Sequence, residues 1–180
     1  ESFQQDHPPI PVNCPANHDP IPVQRTDRRS AQIIKYAANA FLAMRISFVN
    51  EIAQICEAVD ADVLSVVDGL GHDPRIGRSY LSPGLGFGGP CLEKDLRGLI
   101  SVADDRNLEP MLLKAALKRN DRQIEHVISK IKTAIGISSG QRTVGILGLA
   151  FKPGTDDVRN SLALRVIDDL SSSGIRVQAY

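Results

Sequence analysis

The run SAQIIKYAANAFLAMRISFVNEIAQICEAV, residues 30–59, limits the folds open to this chain more than any other stretch. Ile33, Ile34, Ala37, Phe41, Met44, Phe48, Ile52 and Ile55 recur at three- and four-residue steps, the period of one helical face. The spacing predicts a single helix of about eight turns, with Ser30 as its N-cap. Its apolar face is too broad for the few helices that follow to cover, which predicts a homodimer through this helix.

Shorter helical patterns follow. One runs from Asp62 to Leu70 and stops at Gly71, before the loop HDPRIGRSYLSPGLGFGGP. Two more cover Leu92 to Arg106 and Glu109 to Ile135, the latter carrying Leu112, Leu113, Ala116, Leu117, Ile124, Val127, Ile128 and Ile131 on one face. At Gln141 the pattern changes. TVGILGLAF reads as a buried strand, VRNSLALRVIDDLSSSG as an amphipathic helix closed by glycine, and IRVQAY as a second strand. The expected fold is a mainly α-helical domain, residues 25–137, followed by the first β-α-β unit of a Rossmann-like α/β domain, residues 141–180. Residues 1–24, proline-rich and without periodicity, read as an arm or linker. Two parallel strands cannot cover both faces of a sheet, so the sequence is expected to stop inside a domain.

Composition removes several function classes. Basic and acidic residues balance at 21 each, so no net field draws the chain to nucleic acid or an anionic membrane. No apolar run reaches the roughly 20 residues of a membrane span, and the N-terminus lacks the basic-then-apolar order of a signal peptide. The expected location is cytoplasmic. Cys14, Cys56 and Cys91 are widely spaced and odd in number, which is not a disulfide framework. Cys14 and His18 have no second ligand pair, so no metal site is expected.

The segment GLGFGGPCLEKD, residues 84–95, concentrates the chemistry. Four glycines and a proline bring Cys91 to the opening of a helix, where a thiolate meets unpaired N–H groups and the positive end of the helix dipole. Lys94 adds a positive charge within one turn. Asp95, four residues after Cys91, projects from the same helical face and is suited to taking a proton or holding a water, although Lys94 and Asp95 by themselves read as an ordinary solvated helix start. Lys35 and Asn39, one turn apart in an apolar neighbourhood, suit an oxyanion formed by attack on a carbonyl or, equally, a solvent-facing pair. Arg75 offers a guanidinium to phosphate and Phe87 an aromatic face to a base or sugar. GILGLAFKPGTDD has the strand, glycines and following helix of a nucleotide-binding turn without the full G-x-G-x-x-G spacing, and Lys152 and Arg159 lie near it. His72 and His126 have no chemical partners in the sequence and read as structural or surface residues.

Three stretches, KYAANAFLAMRISFVNEIAQICE, RIGRSYLSPGLGFGGPCLEKDLRGL and VGILGLAFKPGTDDVRNS, resemble in order and spacing the UDP-glucose/GDP-mannose dehydrogenase family of nucleotide-sugar dehydrogenases. The resemblance covers residues 22–180. It implies the family's central dimerisation domain plus the start of its nucleotide-sugar-binding domain, with NAD as cofactor bound mainly by a domain outside this chain. The chain alone is then expected to be inactive. The implied reaction is oxidation of a sugar C6 alcohol to the acid through a thiohemiacetal and thioester on Cys91. Lys35 and Asn39 fall on oxyanion-stabilising positions and Asp95 on a water-activating one. Arg75, Tyr80, Phe87, Gly88, Phe151 and Lys152 are implied to bind substrate, Arg75 in the partner subunit, while Lys94 and Arg159 are implied near the cofactor. Glu93 departs from the family's usual proline. The competing expectation is a non-catalytic dimerisation or scaffold module derived from the same family.

Overall fold

The computed structural model describes residues 23–136 and 143–180, so the expectations for Cys14, His18 and nearly all of the N-terminal arm fall outside the described residues. Five helices and two strands follow one another: α1 (Arg28–Ala58), α2 (Val63–Gly71), α3 (Leu92–Asp104), α4 (Met111–Ile135), β1 (Thr143–Ile146), α5 (Leu162–Ser172) and β2 (Arg176–Ala179). The described residues divide into two compact units, one ending at Lys35 and the other beginning at Tyr36.

In the first unit α1 begins two residues before the expected cap. Asp27 Oδ1 accepts hydrogen bonds from the backbone N–H groups of Arg29 (2.9 Å) and Ser30 (3.1 Å), and the Ser30 hydroxyl donates to Asp27 Oδ2. Aspartate supplies two acceptor oxygens where serine supplies one, and it takes the capping role.

In the second unit the glycine loop, α1, α3 and α4 meet around Ala40, Ala43, Phe87, Leu96 and Ala116. Three alanines at this junction let the helices approach closely, and Leu96, with no exposed surface, contributes about 1.5–3 kcal/mol as a fully buried side chain. A second cluster, Val49, Val67 and Leu81, seats α2. Asp62 starts that helix by accepting from the N–H groups of Leu64 and Ser65.

The third cluster joins α4 to the remainder. Ile124 and Ile128 pack with Leu162, Val166 and Leu170 of α5, flanked by Val144, Ile146 and Val177 of the strands. β1 and β2 pair in parallel, Thr143 opposite Arg176 through Ile146 opposite Ala179, with α5 as the crossover. Both β1 and α5 are shorter than their sequence patterns. The chain leaves β1 at Leu147, which is 85% exposed, and turns at Gly148 with φ +86°. α5 cannot begin before Asn160, whose φ of +51° is left-handed.

Candidate active site

The loop ending at Pro90 delivers Cys91 to the position before the first residue of α3. Its glycines are required by close approach. A Cβ on Gly86 (φ +112°) would lie 2.4 Å from Asn120 Oδ1, one on Gly88 2.4 Å from the Asn160 carbonyl oxygen, and one on Gly89 (φ +80°) 2.4 Å from the Phe151 ring. The Gly89 N–H also donates to the Asn160 carbonyl at 3.1 Å. The missing side chains let the loop lie directly on α4 and on the segment between β1 and α5. The glycines expected to curve around a ligand therefore also close protein against protein.

Cys91 is exposed, whereas Cys56 is buried in α1. The thiol residue borders a cavity of about 350 Å³ together with Asn39, Tyr80, Phe87, Gly88, Phe151 and Lys152. Tyr80 takes φ +60° on the rim, a conformation unusual for a bulky residue and one that clusters at ligand sites. Phe87 is 2% exposed and packs in the helical core while also bordering the cavity. Leu42, Ile46 and Leu92 complete the apolar wall. The sequence gives no separate signal for these three, since apolar residues on a helical face read as core.

A larger cavity of about 700 Å³ opens at the carboxyl ends of β1 and β2, bordered by residues 147–156, by Ser161 to Ala163 at the start of α5, and by Tyr180. That end of a parallel sheet is where α/β folds bind ligands. The two cavities share Gly86, Phe151 and Lys152. The Lys152 ammonium lies 5.5 Å from the centre of the Phe151 ring.

Asp95 has no exposed surface. Its Oδ2 accepts from Asn39 Nδ2 at 2.5 Å and its Oδ1 from Lys94 Nζ at 2.8 Å. Its expected shared face with Cys91 is not observed: the thiol residue precedes the helix and is exposed, while the carboxylate points into the protein. Asp95 holds the Lys94 ammonium in its charged form, raising its pKa through the hydrogen bond first and through charge second. Asn39 keeps a second amide hydrogen, and it borders the cavity. Glu93 accepts from Arg97 Nε at 2.9 Å along its own helix, so its charge is engaged there.

Arg75 does not border either cavity. Its guanidinium, 86% exposed, pairs with Asp73 at 2.6 Å. Arg159 pairs with Asp157 at 2.6 Å, and that hydrogen bond is the main cause of its raised pKa. The hydrogen bond from Arg159 lowers the Asp157 pKa to about 2. Lys35 is exposed on α1 and belongs to the first unit. His126 meets Glu57 at 3.1 Å, away from the cavities. Among the described residues, no group of three or more His, Cys, Asp or Glu side chains is placed to hold a metal ion, and no helix is long and apolar enough to cross a membrane.

Residues 29–122 match the UDP-glucose/GDP-mannose dehydrogenase family, central domain, and residues 145–180 match the UDP binding domain of that family. The chain belongs to the UDP-glucose/GDP-mannose dehydrogenase family. UDP-glucose 6-dehydrogenase TuaD of Bacillus subtilis (strain 168) is 48% identical over 165 residues, 91% of this chain and 36% of TuaD. UDP-glucose 6-dehydrogenase of Rhizobium meliloti (strain 1021) is 42% identical over 88% of this chain and 36% of its own length. Among solved structures, a UDP-glucose dehydrogenase from the archaeon Pyrobaculum islandicum superimposes with a TM-score of 0.83 at 40% identity, covering 88% of this chain and 36% of that one. The chain thus spans little more than a third of the length of these UDP-glucose/GDP-mannose dehydrogenase relatives.

Proposed function

We propose that this chain is the catalytic core of an NAD-dependent nucleotide-sugar 6-dehydrogenase that converts the C6 alcohol of UDP-glucose to the carboxylate. One observation carries the reading: the cavity bordered by the exposed Cys91 adjoins a larger cavity at the strand ends, and Gly86, Phe151 and Lys152 belong to both. In this reading the first cavity takes the hexose and the second the nucleotide, and Lys152, which borders both, meets the diphosphate between them. Family membership and the names of the relatives support the same substrate class.

Cys91 Sγ adds to the C6 aldehyde and forms a carbon–sulfur bond, while the carbonyl oxygen becomes an oxyanion. The second amide hydrogen of Asn39 is the proposed donor to that oxygen. Asp95, enclosed between Asn39 and Lys94, acts as a positioning residue by orienting the Asn39 amide. Water then cleaves the thioester at C6, releasing the carboxylate and the thiol. NAD, when bound, takes up one hydride from the alcohol and one from the thiohemiacetal. Arg159 and Lys94 fit contact with such a dinucleotide, since each keeps a solvent-facing side while paired to its aspartate.

The second unit presents Phe41, Phe48 and Ile55 at seven-residue steps along α1, each more than half exposed. That stripe supports a homodimer through α1, with Arg75 offered to the partner's nucleotide sugar. The reading is tested by alkylating the chain with iodoacetamide and locating the modified residues by mass spectrometry. Cys91 is expected to react first and UDP-glucose to protect it, with buried Cys56 as the slow internal control. Labelling of Cys91 that UDP-glucose leaves unchanged overturns the proposal and favours the scaffold reading.

A further inference from the structure

The loop that carries Cys91 has no regular hydrogen-bonding partner strand or helix of its own, yet two of its residues are held at both backbone groups by side chains. Asn50 Oδ1 accepts from the Gly84 N–H at 2.8 Å, and Gln123 Nε2 donates to the Gly84 carbonyl at 2.7 Å. Asn120 does both jobs at the next point: its Oδ1 accepts from the Phe87 N–H at 2.8 Å and its Nδ2 donates to the Phe87 carbonyl at 3.0 Å. Arg119 Nη2 ties the set together by donating to the Asn50 carbonyl at 2.7 Å and to Gln123 Oε1 at 2.9 Å. Asn50, Asn120 and Gln123 are all buried. The two bonds between Asn120 and Phe87 are shielded from competition by water, whereas those to the exposed Gly84 are only partly so.

The geometry points to Asn120 and Gln123 as positioning residues for the reaction proposed above, an amide clamp from α4 that fixes the glycine loop and with it the wall of the Cys91 cavity. Primary amides suit this task because one side chain supplies both a donor and an acceptor, matching a backbone N–H and C=O in the way a neighbouring strand does. Gly86 lies between the two clamped residues, and its missing Cβ leaves room for the Asn120 oxygen. Gly86, Phe87 and Gly88 all border the cavity, so a loop released from α4 changes the surface that meets the sugar. This assignment rests on the proposed function for its substrate, but the clamp can be read without any ligand.

Two substitutions of similar volume separate the hydrogen bonds from packing: Asn120→Leu, and the less central Gln123→Met. Amide hydrogen exchange is measured at Phe87 and along α4, together with the UDP-glucose concentration that half-protects Cys91 from iodoacetamide. In variants whose far-ultraviolet circular dichroism matches the parent, the Phe87 amide, which loses its acceptor in Asn120→Leu, is expected to exchange at least about tenfold faster while α4 amides stay unchanged. The Gly84 N–H is held by Asn50, so Gln123→Met, which frees the Gly84 carbonyl, is read by protection of Cys91. Half-protection is expected to need at least about fivefold more UDP-glucose. Unchanged Phe87 exchange in Asn120→Leu, or unchanged half-protection in both variants, overturns the assignment. A parent chain that UDP-glucose fails to protect overturns the proposed function instead, and the exchange rates then decide the clamp by themselves.

Discussion

Replacing Gly89 by alanine should destabilise the protein far more than the same change at Gly84, although both lie in one loop five residues apart. At Gly89 two costs combine. The backbone sits at φ +80°, where a Cβ costs roughly 1–2 kcal/mol. The new methyl would also stand 2.4 Å from one Phe151 ring atom and 2.9 Å from the atom that joins the ring to its own chain, so the whole ring must move. Overpacking of that kind costs roughly 1–3 kcal/mol. The sum is a loss of about 2–5 kcal/mol, or a fall in Tm of about 4–20 °C for a chain of this size. At Gly84 nothing lies within 4 Å of the added Cβ and the backbone is not left-handed, so alanine restricts the unfolded chain and gains about 0.4–1 kcal/mol. Urea unfolding followed by circular dichroism measures both, provided the slopes agree among the three proteins. Gly89→Ala within about 0.5 kcal/mol of the parent, or Gly84→Ala losing as much as Gly89→Ala, would refute the argument from close approach.

Phe48→Asp places a charge in the exposed apolar stripe of α1 and is expected to turn a dimer into a monomer in light scattering at micromolar concentration; an unchanged mass would remove α1 from the interface. The Asp157 carboxyl is held at about 2 against its ordinary 3.8, so the stability it contributes is complete above pH 3.8 and is lost as pH falls through about 2. Arg159→Ala should return its titration, followed by carboxyl NMR, towards the ordinary value. In the whole protein supplied with NAD, Cys91→Ser is expected to stall after the aldehyde, because an oxygen ester forms and breaks less readily than the thioester. Full conversion to the acid by Cys91→Ser would rule out the covalent route.

The helices were legible because their apolar spacing records the helical period. On α4 Ala116, Ile124 and Ile128 lie on the face it marks and are buried, whereas on α1 the marked Phe41, Phe48 and Ile55 are more than half exposed and the fold buries Ala40, Ala43 and Ser47 instead. Their ends were less so. Ser30 and Asp27 are both good caps, and only the backbone path shows that the aspartate turns back onto the helix. The β-α-β order could be read from the change of period at Gln141, whereas the early exit from β1 depends on Gly148 adopting a left-handed turn. At the site, Cys91, Asn39, Tyr80, Gly88, Phe151 and Lys152 converge on one cavity, and the motif order pointed to all six. Phe87 borders the same cavity and also packs in the core, a double placement that a glycine-flanked aromatic does not reveal in sequence. Asn120 and Gln123 went unread, although Asn120 falls four residues from both Ala116 and Ile124, within the apolar face of α4, where a buried amide needs hydrogen-bond partners. Their meaning depends on a loop more than thirty residues upstream.

The close contacts along the glycine loop also set how freely each position can drift over generations. Position 84 has open space around it and can accept small residues without help from elsewhere. Position 89 abuts a side chain, so a trimmed residue at 151 would relieve the crowding there, and asparagine, which tolerates a left-handed backbone, is the first newcomer to expect. Position 88 abuts the carbonyl oxygen of Asn160, a group every amino acid carries. No exchange at residue 160 could make room for it, so lineages of this fold should keep glycine at 88 even where its neighbours have changed.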